Sequence, residues 1–326
     1  MSSGRLSYLS ISKGWRSRLA CPRCHASLEL PDDMAEDDQH LVCTSCYARY
    51  PASQGIINFG VNNTFYDDHG FTSTGRNFSN GPVGKLGLYL ARSHFLYDIA
   101  QAVAPGSAVI EVGPGGGSRF LAERYDMLGI ELSSASVRYA ASTYGSAVQA
   151  TVASLPLANG CADALISSFL LEHLGSEMIE QSVSEMARVL KPNGQMLHFF
   201  DVDTDASFVG WAKRQPWYDA IFIDSKGHHG MRFLNEWQRL FADAGFAVEV
   251  RRLSCKSWLQ DLSVWGALDQ PQVTGIARRI GHAAAVVRKW INPGADLAIN
   301  ALNDLVDPLL PDDWAAKAIV LLRKSG

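Results

Sequence analysis

The sequence of 326 residues has no long apolar run and no excess of basic charge. No stretch approaches the roughly 18 consecutive apolar residues that cross a bilayer. The N-terminus lacks the apolar segment of a secretory signal peptide. We therefore expect a cytoplasmic protein. The net charge of −4 argues against wholesale nucleic-acid binding, which normally uses a basic surface.

Cysteine is scarce, with six in the chain, and in a reducing compartment disulfides are not expected. Four of the six form two CxxC pairs that are separated by eighteen residues. They are Cys21, Cys24, Cys43 and Cys46. Two such pairs can converge on one tetrahedral Zn²⁺, and the spacing is typical of a zinc ribbon, so we predict a structural zinc site. Two fortuitous pairs or a redox CxxC are the alternatives, while Cys161 and Cys255 are expected in the core.

A glycine-rich turn follows the first strong strand signal, at residues 108–112. Such a turn lets the backbone approach a ligand and directs helix N–H groups toward it. The turn at 113–117 has the pattern GxGxG, with Ser118 where a dinucleotide site would have its third glycine. Glu111 also precedes the turn, where it would repel a pyrophosphate but attract an ammonium group. Both features disfavour a dinucleotide.

A second carboxylate, Glu131, ends the next strand twenty residues after Glu111. At that position it can accept hydrogen bonds from both hydroxyls of a ribose. Leu132, which follows it, is placed to lie against an adenine ring. Beyond this point short apolar runs alternate with helical segments, which indicates an α/β fold with a parallel sheet covered on both faces.

Six motifs in residues 105–254 resemble class I S-adenosylmethionine-dependent methyltransferases, particularly the branch that contains the quinone-biosynthesis enzymes. The motifs are EVGPGGG, GIELS, SLPL, ADALISSFLLEHL, ARVLKPNGQ and FADAGF. The resemblance implies a seven-stranded Rossmann-like sheet with its last strand antiparallel, and S-adenosylmethionine over the carboxyl ends of the strands. It assigns the methionine end of the donor to Glu111, Gly113, Gly115 and Gly117, the ribose to Glu131, and the sulfonium side to Ser168.

One position departs from the family pattern. Thr151 stands where the family usually has an aspartate that binds the adenine amino group. Thr151, or the backbone near Val152 and Ala153, would make this contact here.

The N-terminal segment resembles the small zinc-binding activator subunit of tRNA, rRNA and protein methyltransferases, a module that also occurs fused to bacterial methyltransferases of small molecules. The similarity lies in LACPRC and LVCTSCYARYPASQGIINF, within residues 19–59. We therefore divide the chain into a basic arm and zinc ribbon (1–60), a helical arm over the cofactor (61–104) and a methyltransferase domain (105–326).

Four residues near strand ends or in the loop that follows them are candidates for proton transfer. His173 follows the fourth strand and Asp201 ends the fifth, while His228 and His229 lie in a later loop. A base is needed only if the acceptor is protonated at the working pH. His173 has the alternative of packing near the cofactor without a direct role.

Two insertions are expected to determine the substrate. Segment 203–230 carries Trp211, Trp217, Tyr218 and Phe222 and is expected to form a lid over the acceptor, with either tryptophan contributing to acceptor binding. Segment 254–314 is expected to form a helical insertion before the last strand. Within the second, a helical stripe predicts packing on its own domain. A basic amphipathic helix over 276–291 lying on a membrane surface is the alternative. The stripe consists of Ile276, Ile280, Ala283, Val287 and Ile291.

The sequence therefore predicts methyl transfer to an oxygen, nitrogen or carbon nucleophile of a small molecule, in specialised or cofactor metabolism. The alternative is an RNA or ribosome-associated methyltransferase that uses the ribbon for recognition. Against this alternative stands the residue pattern after the fourth strand. Amino-methylating nucleic-acid enzymes place an Asn/Asp-Pro-Pro-aromatic motif there, whereas this chain has SFLL at 168–171.

Overall fold

The structure is a computed structural model that describes residues 9–29, 40–61, 94–291 and 294–324. Most of the predicted arm 61–104 and the first residues of the basic arm lie outside these ranges. Of the predicted arm, the described part contains helix α2 (His94–Ala102), which packs on the sheet through Phe95 and Ile99.

The N-terminal module is a small antiparallel sheet preceded by one helical turn. Its elements are α1 (Lys13–Arg16), β1 (Leu28–Glu29), β2 (His40–Cys43), β3 (Arg49–Ser53) and β4 (Ile56–Ile57). The strands pair in chain order. Both CxxC pairs lie in this module, as the sequence predicts.

The larger module is built on seven strands in the order β10-β11-β9-β8-β5-β6-β7. They are β5 (Ala108–Val112), β6 (Asp126–Glu131), β7 (Ala147–Gln149), β8 (Ala162–Ser168), β9 (Leu190–Asp201), β10 (Phe246–Ser254) and β11 (Lys317–Lys324). Strand β11 is antiparallel to both of its neighbours, whereas β5 to β9 pair in parallel. This arrangement confirms the predicted Rossmann-like methyltransferase sheet.

Helices cover both faces of this sheet. The remaining helices are α3 (Arg119–Ala122), α4 (Ser134–Tyr144), α5 (Ser176–Val189), α6 (Ser207–Lys213), α7 (Leu234–Asp243), α8 (Leu262–Gly266), α9 (Gly275–Ile291) and α10 (Gly294–Val306). Buried side chains of α2 and α3 share one apolar cluster with the sheet, and those of α5 and α7 share another. The parallel strands are therefore buried on both sides, as expected for this class.

The N-terminal module, called the ribbon below, and the seven-stranded sheet share one hydrophobic core. Trp15 is fully buried, and its indole nitrogen donates to the carbonyl oxygen of Asp126 at 3.2 Å. Leu19 forms an isolated antiparallel bridge with Leu157, and the amide of Phe59 donates to the carbonyl oxygen of Gln149 at 2.9 Å. The ribbon thus extends and covers the β7 edge of the sheet.

Helix α9 packs through a different face from the one that the sequence predicts. Its buried residues Gly281 and Ala284 face helix α8, where an added Cβ on Gly281 would lie 2.6 Å from the carbonyl carbon of Leu268. Ile276, Ile280, Ala283 and Val287 of the apolar stripe instead face outward, with Ile276 77% exposed, and the side chain of Ile291 lies outside the described part. The prediction that this stripe packs on its own domain is therefore wrong.

Helices in the described part of the chain are all too short or too polar to cross a membrane.

Candidate active site

The turn after β5 has a backbone that glycine alone adopts easily. Gly113, Gly115 and Gly117 all have positive φ, at 67°, 56° and 74°. A Cβ on Gly117 would also lie 2.9 Å from the Tyr144 ring. Strain and close packing together explain why this turn requires glycine.

Glu131 connects this turn to the end of the next strand. Its carboxylate accepts a hydrogen bond from the Gly115 amide at 3.0 Å and another from the Leu132 amide at 2.8 Å. The Ser133 amide donates to the same carboxylate at 3.2 Å. The loops after β5 and β6 are therefore held together by one negative charge at the carboxyl edge of the sheet.

Glu111 lies buried beside these loops and accepts a hydrogen bond from the hydroxyl of Tyr144. The same hydroxyl accepts a hydrogen bond from the Ser118 amide at 2.8 Å. Burial raises the pKa of Glu111 to about 7, and the nearby charge of Glu131 adds to the rise while the Tyr144 hydroxyl opposes it. A bound cation would favour the ionised form. No pattern in the sequence pointed to Tyr144.

The other predicted donor residues lie along the same edge. Val152 and Ala153 are buried after β7, where the Thr151 hydroxyl accepts a hydrogen bond from the Ala153 amide at 3.3 Å. Leu132 follows β6, and Ser168 ends β8 half-buried. All ten positions predicted for the donor thus lie at or next to the carboxyl ends of four adjacent strands, β8-β5-β6-β7.

A cavity of about 390 Å³ opens next to this edge, beyond the ends of β8 and β9. Aromatic side chains form much of its wall and polar side chains form its floor. The aromatic residues are Phe169, Phe208, Tyr218 and Phe222, and the polar group includes Glu172, His173, Asp201, Lys226, His228 and Lys317. The cavity is large enough for a small organic molecule and has the apolar wall with few polar groups that such ligands use.

The lid insertion builds this wall with two of the four aromatic residues that the sequence analysis names in it. Tyr218 and Phe222 line the cavity, whereas Trp211 and Trp217 pack against each other with ring centroids 5.6 Å apart and are not among its lining residues. The expectation that either tryptophan contacts the acceptor directly does not fit this arrangement.

Three of the four candidate proton-transfer residues, His173, Asp201 and His228, line the cavity. The fourth, His229, is exposed and does not line it. His173 Nδ1 donates to the carbonyl oxygen of Gly227 at 3.1 Å, and its ring lies 4.8 Å from the His228 ring. Burial lowers the pKa of His173, and it lowers that of His228 to about 4.

Glu172 was not identified from the sequence, although it is the most deeply buried acid of the floor. Its side chain is 0% exposed, and neither carboxylate oxygen makes a hydrogen bond of normal geometry. Burial, and then the charge of Asp201, raise its pKa well above the usual range, while the backbone amides of Glu172 and Asp201 oppose the rise.

The four cysteines of the ribbon come together as predicted. Cys21 Sγ lies 3.6 Å from Cys46 Sγ, and Cys24 Sγ lies 3.4 Å from Cys43 Sγ. All four sulfur atoms lie within 4.8 Å of one another. A tetrahedral Zn²⁺ with Zn–S bonds of about 2.3 Å requires sulfur separations close to these. The hydroxyl of Tyr50 lies 3.1 Å from Cys21 Sγ and would support the cluster from outside.

Residues 110–198 match the family model described as a methyltransferase domain. The match contains the glycine turn, both strand-end acids and His173. This segment is a methyltransferase domain. The chain therefore carries an enzyme domain of the kind that the sequence motifs predict, and the finer assignment to the quinone-biosynthesis branch stays a prediction. No curated protein matches the sequence.

Solved structures share the fold at low identity. Phosphoethanolamine N-methyltransferase 2 of Haemonchus contortus, in complex with S-adenosyl-L-methionine, has a TM-score of 0.50 and 15% identity over 85% of this chain and 62% of that chain. A second structure of that enzyme has a TM-score of 0.47 and 14% identity over 72% of this chain. The match spans 52% of the length of that enzyme.

Two further structures are similar in the same way. A chain from the complex of the Haloferax volcanii Trm112 methyltransferase activator has a TM-score of 0.41 and 14% identity over 81% of this chain and 93% of that chain. The [4+2]-cyclase SpnF has a TM-score of 0.41 and 19% identity over 71% and 81%. At these identities the likeness concerns the fold, and the acceptor has to be argued from the site itself.

Proposed function

We propose that the protein transfers a methyl group from S-adenosylmethionine to a small organic acceptor that binds in the aromatic cavity. One observation carries the proposal: the glycine turn and its two acids share a sheet edge with a cavity of about 390 Å³. Phe169 links the two, because it follows Ser168 at the end of β8 and lines the cavity. Donor and acceptor would therefore meet at the end of this strand.

Glu111 and Glu131 fit the donor by their charge and hydrogen-bonding capacity. Glu131 would accept hydrogen bonds from the ribose hydroxyls, and Glu111 would hold the ammonium group of the methionine end. The donor supplies a methyl group that is already activated by a positively charged sulfur. The protein's contribution is then mainly alignment of the acceptor, which is worth roughly 7–11 kcal/mol when well achieved.

The cavity favours a small molecule over a polynucleotide. Lys213, a basic residue of the lid, is held by Asp203 at 3.0 Å and by Asp205 at 2.6 Å, so its charge is neutralised locally. A polynucleotide would require a groove of available positive charge. To separate the two, purified protein and methyl-labelled donor are incubated with a small-metabolite fraction and with total RNA. Label appearing in the RNA fraction alone would reject the proposal.

Replacing Phe222 with alanine should raise the KM for the acceptor about tenfold or more, because a buried aromatic contact contributes about 1.5–3 kcal/mol. Affinity for the donor should stay within about threefold, since separate sites behave independently. Steady-state kinetics and donor calorimetry measure the two effects. Trp290→Ala is the matched control, because Trp290 is an exposed aromatic residue outside the cavity. Unchanged acceptor kinetics in Phe222→Ala would place the acceptor elsewhere.

We also propose that the four-cysteine cluster holds a structural Zn²⁺. Four thiolates complete a tetrahedral shell and leave no open position for chemistry. The short strands of the ribbon bury little apolar surface by themselves, so the metal would stabilise the module directly.

The outward face of α9 supports a third proposal, that this helix contacts an anionic membrane surface. Trp290 is 83% exposed and lies on the same stripe as Ile276 and Ile280. Exposed cations flank this stripe at Arg278, Arg279, Arg288 and Lys289. Apolar and cationic groups on one exposed helix are the pattern of a helix that binds in the plane of a membrane.

Trp290→Ala should therefore reduce sedimentation with anionic lipid vesicles by about tenfold, since it removes a large apolar contact. Binding of the wild type should weaken as salt is raised. Tyr47→Ala, which removes an exposed aromatic side chain from the ribbon, serves as the control. Equal binding of wild-type protein to anionic and uncharged vesicles would contradict a role for the basic residues.

A further inference from the structure

Three side chains in the cavity floor form a cluster that proton transfer alone does not explain. One ligand atom each from Glu172, His173 and His228 lies within 4.8 Å of the others. The first two belong to a short 3₁₀ turn (Leu171–His173) after β8, and the third belongs to the end of the lid insertion. We propose that these three residues bind a divalent transition metal such as Zn²⁺ or Co²⁺.

The carboxylate of Glu172 is the strongest indication of a missing partner. It is fully buried, makes no normal hydrogen bond and lines the cavity. Lys317, the nearby cation, has its ammonium group 3.9 Å from Asp261 and 5.3 Å from the centre of the Phe169 ring. A buried polar group is normally hydrogen-bonded, paired or bound to a metal. A divalent cation at this position would serve as the partner of the Glu172 carboxyl group and would favour its ionised form.

The histidines have the support that metal ligands usually have. His173 Nδ1 donates to the carbonyl oxygen of Gly227 at 3.1 Å, which makes Nε2 the nitrogen with the lone pair. A hydrogen bond from the second ring nitrogen to a backbone carbonyl is the usual outer-shell contact of a ligating histidine.

The loop that carries His228 is fixed against the turn that carries the other two residues. The amide of Gly230 donates to the backbone carbonyl oxygen of Glu172 at 2.8 Å. A side chain on Gly230 would collide with the carbonyl oxygen of Leu174. The two segments are therefore packed backbone to backbone, and the three ligand atoms are placed by the fold rather than by chance exposure.

The ligand types of these three residues indicate which metal would bind and what it would do there. Two imidazoles and one carboxylate suit Zn²⁺, Co²⁺ or Fe²⁺ and leave coordination positions open. Metal–ligand bonds of about 2.0–2.2 Å at tetrahedral angles place ligand atoms about 3.4 Å apart. The three atoms, which lie within 4.8 Å of one another, would therefore approach by up to about 1.4 Å through side-chain rotation. The open positions would face the cavity, where an oxygen or nitrogen donor group of the acceptor could bind. This role in acceptor binding depends on the proposed methyl transfer, whereas the metal site does not.

The test uses the full chain with its ribbon already filled with zinc, and Co²⁺ as the probe. We expect one further metal per chain, with visible d–d bands but without the near-ultraviolet bands of cobalt bound to thiolate. His228→Asn and Glu172→Gln should each weaken Co²⁺ binding at least tenfold. His229→Asn is the matched control, because its ring is exposed outside the cavity, and it should bind Co²⁺ like the wild type.

These measurements test the proposed metal site separately from the proposed methyl transfer. Thermal melting identifies a variant that has lost its fold, and His228→Asn, on a half-buried side chain, tests the proposal if Glu172→Gln does not fold. A folded wild type that takes up no Co²⁺ beyond the ribbon, or equal loss in His228→Asn and His229→Asn, would overturn the metal site. Donor calorimetry and methyl transfer are measured separately, so a failure of the proposed function is visible even when the metal binds.

Discussion

Replacing Cys43 with serine should release zinc and lower the free energy of unfolding of the whole chain by more than about 4 kcal/mol. Cys43 is fully buried, and the amides of Ser45 and Cys46 both donate to its sulfur at 3.4 Å. Loss of one thiolate would therefore remove the Zn²⁺ that is expected to hold the CxxC turn in place. Elemental analysis and denaturant unfolding measure the two effects.

The effect should extend to the catalytic domain because the ribbon packs directly against the sheet. The amide of Ala20 donates to the carbonyl oxygen of Pro156 at 3.0 Å. The hydroxyl of Ser154 donates to the carbonyl oxygen of Pro22 at 2.9 Å. Cys161→Ser provides the control, since this cysteine lies outside the four-sulfur cluster and the variant should keep its zinc. A Cys43→Ser protein with full zinc and unchanged unfolding would remove the metal from this site.

Replacing Glu131 with alanine should weaken binding of S-adenosylmethionine by about 10–100-fold. Losing the charged hydrogen bonds to the ribose should cost about 1.5–3 kcal/mol in total, because water replaces part of their energy. The variant also releases the amide of Gly115, which the carboxylate holds at 3.0 Å. Titration calorimetry without any acceptor measures the affinity directly.

Two further variants separate charge from shape at this position. Glu131→Gln keeps the side-chain volume and should bind the donor with an affinity between those of the wild type and the alanine variant. Glu180→Gln removes an exposed acid on α5 and should leave the affinity unchanged. If Glu131→Ala bound the donor as tightly as the wild type while remaining folded, Glu131 would not be the ribose ligand.

The sheet could be predicted because each strand carries its own local signal. The apolar run 108–112 coincides with β5, and the largely apolar run 195–200 lies within β9. The early start of β9 escaped prediction, because Pro192 and Gly194 suggest a break. In the structure β9 continues through this segment, where Asn193 has a φ of 61°. The pairing of β9 with β8 shifts register between Ala162 and Ala164.

Parts of the site could not be predicted, because they depend on residues that meet only in the folded chain. His228 reaches Glu172 and His173 through the packing of two loops that lie far apart in sequence. Tyr144 reaches Glu111 from the end of α4 for the same reason. The periodicity of α9 shows an apolar stripe, but it does not reveal that Gly281 and Ala284 allow a closer approach on the other face.

The contact between the ribbon and the sheet also has a consequence for folding during synthesis of the chain. Trp15 and its acceptor on Asp126 are 111 residues apart, and the partner of Leu19 is still further along the chain. The cysteine knuckles leave the ribosome first and can take up metal locally, while the apolar side of the ribbon still lacks its counterpart. Domains generally fold from the N-terminus as they are made, so the nascent ribbon exposes Trp15 and Leu19 until β6, β7 and the turn after them have been translated. Chaperone contact during synthesis is expected to concentrate on this interval.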